Sequence, residues 1–272
     1  MSISFILRMI ASTLSGASHS THPESINVEI ERAKRRATKR IGRAKARAQD
    51  ELGNLDKVRI TLMSGDMKKF THEFTQIRGV RFSDCGGLSG LEHFNKERKN
   101  WKELEQLSTK AMNMLTMGTS LDAIGFGAGV LDQFAVVPEI EGIDAKVKAA
   151  NEAEALHSVS NRLEVFQQEV KRLCKRMQEI RREAREAEDA LLDLSDYFED
   201  GIADIKDIRD AAGNEWESYS HEQKILIGRT AQIARLIRAL SEIRFLTDDA
   251  DLRPEIKEAM EASEELLDEL GA

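Results

Sequence analysis

The chain has 272 residues, of which 41% are hydrophobic, 32% charged and 5% aromatic, with three prolines and two cysteines. So many charges with so few aromatic residues and prolines argue against an all-β sandwich or barrel, and the apolar content is too high for wholesale disorder. The composition is that of long helices. We therefore expect an all-α fold: an elongated helical bundle with a long coiled-coil helix and a Gly-containing apolar hairpin.

The formal charge of -8 is unevenly distributed. Residues 1–110 carry 21 Lys/Arg and 13 Asp/Glu (net +8), whereas residues 183–272 carry 10 and 25 (net -15). The two ends are expected to attract each other, within one chain or head to tail between chains. A basic arm for an anionic partner is the alternative. Cys85 and Cys174 are too few for a disulfide scaffold and favour a reduced, cytoplasmic protein.

The N-terminal segment, residues 1–24, has an amphipathic pattern. One helix face would carry Ile3, Ile6, Leu7, Ile10 and Leu14. Arg8 interrupts the apolar stretch that a secretory signal needs, so we favour a docking helix or a shallow membrane anchor over a cleaved leader. Membrane association and export remain the alternatives to a cytoplasmic location.

The basic helical region, residues 25–110, opens with a helix predicted over Glu29–Asp50. Its seam of small or apolar residues lets another helix approach closely, and consists of Ala33, Ala37, Ile41, Ala44 and Ala48. The other faces form the strongest single-sign run in the chain, a candidate surface for an anionic partner: Arg32, Lys34, Arg35, Arg36, Lys39, Arg40, Arg43, Lys45 and Arg47.

Three kinds of anionic partner suit this basic run. The acidic last helix is an internal electrostatic complement, which favours a salt-bridged helix face. An anionic membrane surface comes next. Nucleic acid is least favoured, because no aromatic residue is interleaved for base stacking and no zinc-finger, helix-turn-helix or RNP signature is present.

The rest of the basic region predicts a helix that ends near Gly65, a shorter helix and a loop. The apolar spacing of the two helices is given by Leu52, Leu55, Val58 and Leu62, and then by Phe70, Phe74 and Ile77. Residues 83–90 contain three glycines and predict a loop. A reactive thiol at Cys85, with His93 nearby in sequence, is the less favoured alternative to a plain loop.

The apolar Gly-containing hairpin is predicted over residues 111–142. Between Ala111 and Pro138 only Asp122 and Asp132 are charged, and three alternate glycines lie midway between them. The longest uncharged run within this segment, residues 111–121, has 11 residues. A spanning helix needs about 20. We favour a tight bend packed on the core. Insertion into a membrane is the alternative, with candidate contacts Met114, Met117, Leu121, Ile124, Phe126, Val130, Leu131 and Phe134.

Residues 143–272 are predicted to hold a long coiled-coil helix and acidic C-terminal helices. The coiled-coil seam alternates steps of three and four over Leu156, Val159, Leu163, Phe166, Val170, Leu173, Met177, Ile180, Ala184, Ala187, Leu191, Leu194 and Phe198, and continues through Gly201, Ile205, Ile208 and Ala212. A 3.5-residue period predicts a left-handed supercoil. Gly201 is the expected bend, and Cys174, one residue after a seam position, is expected to be partly exposed.

The C-terminal part contains a turn and two further helices by its pattern. Gly213 and Asn214 mark the turn, and apolar periodicity predicts a helix from about His221 to Phe245. Pro254 stands at an early position of the last helix, which is expected to run to Leu270.

Catalysis finds little support in the sequence. The six histidines are scattered and form neither H-E-x-x-H nor a helical pair, so we assign no catalytic, cofactor-binding or metal-binding residue. The favoured function is a non-enzymatic helical scaffold or interaction protein, acting through coiled-coil packing and charged surfaces. Its expected partner is another protein or a second copy, and a homo-oligomer is favoured.

Two other functional classes are the alternatives: a membrane-acting protein and a signalling coil. Long coiled helices interrupted by one apolar segment resemble the outline of elongated α-helical pore-forming toxins. That outline implies a membrane-acting protein that inserts residues 111–138, and this is the alternative function. A signalling coil similar to those of chemoreceptors is less favoured, because no transmembrane pair can be placed on the chain.

Overall fold

A computed structural model describes residues 23–85, 136–152, 159–242, 244–247 and 252–271. Of these residues 90% are helical, and none lies in a β-strand. The prediction of an all-α helical bundle is confirmed.

Six α-helices and two 3-10 turns form the described part of the chain. The helices are α1 (Pro23–Ser64), α2 (Asp66–Thr75), α3 (Val136–Glu152), α4 (Val159–Ala212), α5 (His221–Glu242) and α6 (Pro254–Gly271), and the turns are Phe82–Cys85 and Trp216–Ser218. They build two compact units. Of the described residues, unit 1 comprises 23–42, 136–152 and 159–172, and unit 2 comprises 43–85, 173–242, 244–247 and 252–271.

Helix α1 follows the predicted apolar seam. Ala37, Ile41 and Ala48 are each 5% exposed or less, and the helix ends at Ser64, as the Ser64–Gly65 break predicts. Small side chains at the buried positions let neighbouring helices lie close to the backbone of α1. Seven of the nine cations of the predicted basic run remain exposed, whereas Lys34 and Lys45 are half-buried.

Helix α4 confirms that the predicted seam is helical and largely buried. Its buried apolar residues include Phe166, Val170, Met177, Ile180, Ala184, Ala187, Leu191, Leu194, Phe198 and Ile205. Leu163, Leu173, Ile208 and Ala212 are half-buried. Leu156 lies outside the described residues, and Val159 is the first residue of α4. The left-handed supercoil stays a prediction.

The expected partial exposure of Cys174 is wrong. Cys174 is buried at 3% exposure, while Leu173 before it is half-buried. A straight α-helix has 3.6 residues per turn and drifts against a 3.5-residue period. The buried stripe therefore steps from Val170 to Cys174, a spacing of four, where the strict seam steps by three.

Helix α4 continues without a break through Gly201, the position of the expected bend, to Ala212, and the bend itself stays a prediction. A Cβ atom at Gly201 would lie 2.4 Å from Oγ1 of Thr230, which belongs to α5. The glycine lets these two helices of unit 2 pack at close distance. Its small size, rather than its backbone freedom, is what the structure uses.

Large aromatic side chains fill the core of unit 2. Phe70 of α2 lies with its ring centroid 5.2 Å from that of Phe74 and 5.3 Å from that of Phe198. Phe70, Phe198 and Trp216 are each 0% exposed. Aromatic pairs at such distances stabilise a core beyond the apolar area that they bury.

Two segments distant in sequence meet beside this core. The backbone N–H of Arg78 donates to the carbonyl of Asn214 at 2.8 Å, and the N–H of Trp216 donates to the carbonyl of Arg78 at 3.0 Å. Gly213 has a φ of 83°, which glycine adopts without a steric penalty. The predicted turn at Gly213 and Asn214 is confirmed.

The region that the sequence predicts as a loop, residues 83–90, begins as a 3-10 turn over Phe82–Cys85. Phe82 and Cys85 are 7% and 1% exposed. Tertiary burial therefore orders the start of a segment that the sequence predicts to be a loop. Residues 86–90 lie outside the described part of the chain.

Unit 1 contains α3, which begins inside the segment predicted as a hairpin. Pro138 lies in the first turn of α3, where a backbone N–H has no partner within the helix, so the proline does not disturb it. Ile140, Ile143 and Val147 are buried on one face of α3. Residues 111–135 lie outside the described part.

The C-terminal helices agree with their predicted positions except at one boundary. Helix α5 ends at Glu242, before the predicted end at Phe245. Phe245 and Leu246 are 0% exposed, and Leu246 forms an isolated antiparallel bridge with Leu252. The chain leaves the helix to bury both side chains, and α6 then begins at Pro254 as predicted.

Candidate interaction surfaces

Five exposed cations of unit 1 lie on one side of α1, and we call them the basic face. They are Arg32, Arg35, Arg36, Lys39 and Arg40. At 3.6 residues per turn they span an arc of about 140° over about 12 Å of helix. The buried residues Ala37 and Ile41 lie on the opposite side.

The basic face is without ion pairs in the described part of the chain. None of its five side chains bonds to a carboxylate there, and all five are exposed. Neighbours at spacings of three and four, such as Arg32 and Arg36, repel each other at a cost of about 0.2–0.5 kcal/mol per pair. An anion placed on this face would relieve that repulsion.

Lys34 differs from the basic face because it points to the interior of unit 1. Its Nζ lies 2.9 Å from Oδ2 of Asp144, which also receives Lys148 Nζ at 2.9 Å. The hydrogen bond with Asp144 raises the pKa of Lys34. Lys34 therefore stabilises the contact between α1 and α3 rather than offering a free charge.

The last three residues of the predicted basic run lie in unit 2. Arg43 and Arg47 are exposed, whereas Lys45 is half-buried and has an interaction of its own. The predicted pairing of the whole run with the acidic last helix stays a prediction.

Five exposed aspartates of unit 2 form a matching acidic face on α4. Asp193, Asp196, Asp200, Asp204 and Asp207 follow each other at steps of three and four, so they share one side of the helix. Within the described residues none of them forms an ion pair. The acidity of the C-terminal third is visible in the sequence, and the spacing of these aspartates is the signal that could have located the face.

Cys85 is not placed as a reactive thiol. Its Sγ donates to the carbonyl oxygen of Lys224 at 3.1 Å, and the residue is 1% exposed. Burial raises the pKa of Cys85 from 9.0 to about 11, so the thiol is protonated at neutral pH. A nucleophilic cysteine needs the opposite shift. His93, its suggested neighbour, lies outside the described residues.

A polar contact that sequence analysis missed lies next to this cysteine. The indole Nε1 of Trp216 donates to Oδ2 of Asp84 at 2.9 Å, and this hydrogen bond lowers the pKa of Asp84. The Nζ of Lys224 lies 5.7 Å from the centre of the Trp216 ring. The cluster joins two segments more than 130 residues apart, a pairing that no local pattern could reveal.

A buried ion pair was also missed. Arg59 Nη1 lies 3.3 Å from Oδ1 of Asp56, and the two residues are 0% and 1% exposed. Burial lowers the pKa of Arg59 to about 10, so it keeps its charge at neutral pH. The guanidinium also lies 5.7 Å from the centre of the Phe245 ring. Such a pair belongs to the core and is not accessible to a partner.

Unit 1 contains a partly open cavity of about 220 Å³. Its apolar lining includes Val147, Leu163 and Phe166, and Lys34 and Asp144 stand at its polar side. Pockets for organic ligands usually measure about 300–1,000 Å³. The cavity is small for such a ligand.

The candidate membrane-contact residues of the hairpin all lie outside the described part of the chain. They are Met114, Met117, Leu121, Ile124, Phe126, Val130, Leu131 and Phe134. Among the described helices, none combines the length and apolar character needed to cross a membrane. The described residues also contain no cluster of three or more His, Cys, Asp or Glu that could hold a metal ion.

Comparisons with known proteins add no relative. No protein family, no curated protein and no solved structure matches this chain.

Proposed function

We propose that this chain is a non-enzymatic helical interaction protein whose basic face binds an anionic macromolecular partner. The observation that carries the proposal is the set of five exposed cations on one side of α1, none with an ion pair in the described part. Charges of one sign held together in this way create a local positive potential, which attracts and orients an anionic surface.

The scaffold part of the proposal rests on the burial of the apolar sides of α1 and α4. Ala37 and Ile41 of α1 are buried in unit 1, and the long seam of α4 is buried along most of its length. Fixed helices hold exposed side chains at constant spacing, so less conformational entropy is lost on binding. Coiled-coil packing is the proposed means by which the scaffold holds its surfaces.

Arginine dominates the basic face, with four arginines and one lysine. A guanidinium donates two parallel hydrogen bonds to a carboxylate or phosphate, which an ammonium group cannot do. The face is therefore suited to carboxylate or phosphate groups presented in a row. Its affinity should fall as salt rises, because exposed charges are screened beyond about 10 Å at 0.1 M.

The test compares two variants with the same change in net charge. One replaces four residues of the basic face, as Arg35→Gln, Arg36→Gln, Lys39→Gln and Arg40→Gln. The other replaces four dispersed, exposed cations that form no ion pair in the described part: Lys68→Gln, Lys171→Gln, Lys206→Gln and Arg229→Gln. Heparin serves as the polyanion, and the dissociation constant is measured at two salt concentrations.

The basic-face variant should bind heparin at least about fourfold more weakly than the unchanged chain, because four charge contacts of about 0.2–1 kcal/mol each sum to about 0.8–4 kcal/mol. The dispersed variant should lose much less. Equal losses in the two variants would show that only net charge matters, and the basic face would then not be the binding surface.

A further inference from the structure

The acidic face of α4 carries as many exposed charges as the basic face of α1. Five aspartates spaced over about 21 Å of helix have no ion pair in the described part of the chain, and the same holds for the five cations. Both sets lie on outer helix faces opposite buried seams, so each can be reached by another molecule. We propose that the anionic partner of the basic face is the acidic face of a second copy of this chain.

The spacing of charges on the two faces supports this partner. On α1, Arg32, Arg36 and Arg40 advance by four residues, or about 6 Å of helix. On α4, Asp196, Asp200 and Asp204 advance by the same four residues. Two helices lying side by side can therefore place several carboxylates opposite guanidinium groups in one register.

Exposed apolar side chains accompany both faces. Val28 is 47% exposed and lies one helical turn before Arg32, while Tyr197 is 40% exposed and follows Asp196. A tyrosine ring in this position can take an arginine guanidinium over its face. Aromatic residues and arginines contribute most to binding in protein interfaces, so Tyr197 gives the acidic face an anchor that charge alone would not supply.

Net charge favours a second copy over a membrane or a nucleic acid. The chain as a whole carries -8, and residues 183–272 carry 10 Lys/Arg against 25 Asp/Glu. An extended anionic surface attracts the basic face but repels the rest of the molecule. A second copy also carries -8, but its residues 1–110 have 21 Lys/Arg against 13 Asp/Glu, so it repels the rest of the molecule less than a uniformly anionic surface does.

The contact joins two different surfaces, so it is heterologous unless two copies exchange both faces and form a two-fold dimer. Each copy offers one basic and one acidic face, and such contacts produce closed rings or open chains of molecules. Assembly should depend strongly on salt, since the Debye length falls from about 10 Å at 0.1 M to about 3 Å at 1 M.

Charge-reversal variants of the full chain test the proposal. The basic face is reversed by Arg35→Glu, Arg36→Glu, Lys39→Glu and Arg40→Glu, and the acidic face by Asp193→Lys, Asp196→Lys, Asp200→Lys and Asp204→Lys. A control reverses four exposed carboxylates elsewhere: Glu164→Lys, Glu222→Lys, Glu258→Lys and Glu261→Lys. Circular dichroism checks that each variant is folded, and sedimentation velocity measures its mass at low and high salt.

The unchanged chain should associate with rising concentration at low salt and dissociate at high salt. Each reversed variant alone should remain monomeric, and an equimolar mixture of the two should recover association, because one intact face of each kind is then present. The control variant should associate as the unchanged chain does. A variant that fails to fold is replaced by Tyr197→Ala, which should weaken association without changing charge.

Three results would overturn the proposal: a monomeric unchanged chain at low salt, a mixture of folded variants that does not associate, or a control that loses association equally. The proposal rests on the proposed function, and the two can fail separately. If the unchanged chain is monomeric but its heparin binding still depends on the basic face, the second copy is excluded as partner and the basic face remains a binding surface. If a monomeric chain binds phosphatidylserine vesicles more tightly than it binds heparin, the basic face is assigned to a membrane.

Discussion

The two units of this protein bury different kinds of side chain. Unit 2 packs Phe70, Phe198 and Trp216 at 0% exposure. Unit 1 buries mainly small and aliphatic residues, and its charged cluster at Asp144 joins α1 to α3 through Lys34. Large aromatic residues bury more area each, so ring packing contributes more to the stability of unit 2 than to that of unit 1.

The largest expected effect is the loss of an aromatic ring from the core of unit 2. Phe198→Ala should lower the free energy of unfolding by about 3–5 kcal/mol, because the cavity left between α2 and α4 cannot close completely. Phe166→Ala in unit 1 should cost about 2–3 kcal/mol, since Phe166 already borders a cavity and its neighbours gain less from its ring. Urea unfolding combined with peptide-level hydrogen exchange measures both changes.

The comparison between units would fail if the Phe166 variant lost as much stability as the Phe198 variant. Hydrogen exchange identifies where the loss occurs. In the Phe198 variant, increased exchange is expected in α2 and α5, and in the Phe166 variant it is expected in α3.

A smaller effect is expected where two helices of unit 2 lie closest. Gly201→Ala would place a Cβ atom 2.4 Å from Thr230 Oγ1, and it should cost about 1–3 kcal/mol through overpacking. Gly53→Ala in α1 is the matched control, because nothing lies within 4 Å of its Cβ position. It should stabilise the protein by about 0.5–1 kcal/mol. Thermal unfolding distinguishes the two signs, and a neutral Gly201→Ala would show that α4 and α5 can move apart freely.

The smallest effect concerns the ion pairs of unit 1 and depends on pH. Burial raises the pKa of Asp144, but hydrogen bonds from Lys148 and Lys34 outweigh it, so the pKa lies below its ordinary 3.8. The stabilisation is therefore fully present above pH 3.8 and lost as pH falls through the lower folded value.

Asp144→Asn should cost about 0.5–1 kcal/mol at neutral pH, and its stability should converge with that of the unchanged chain in strong acid. Glu141→Gln, an exposed residue of α3 without an ion pair in the described part, should change little at either pH. Urea unfolding at neutral and acidic pH gives the four values. A cost of Asp144→Asn that does not vary with pH would mean that the carboxylate charge is not what stabilises the cluster.

The sequence predicted the helices well because their signal is local. Apolar residues at steps of three and four predicted most of α4, the Ser64–Gly65 break predicted the end of α1, and Pro254 predicted the start of α6. It also identified the basic run from which the basic face is drawn. Whether a cation of that run is free could not be predicted from the local pattern, because the ion pair between α1 and α3 joins Lys34 to Asp144, which lies 110 residues away.

The amino-acid order alone determined which stretches form helices and which side of each is apolar, since both follow from the period of the α-helix. Only tertiary structure decided the fate of residues at the margins of those apolar sides. Cys174 and the pair of Asp56 and Arg59 are buried because other parts of unit 2 cover them, and Gly201 matters because Thr230 lies against it. Periodicity gives the direction in which a side chain points, whereas its burial depends on what else the fold brings to that place.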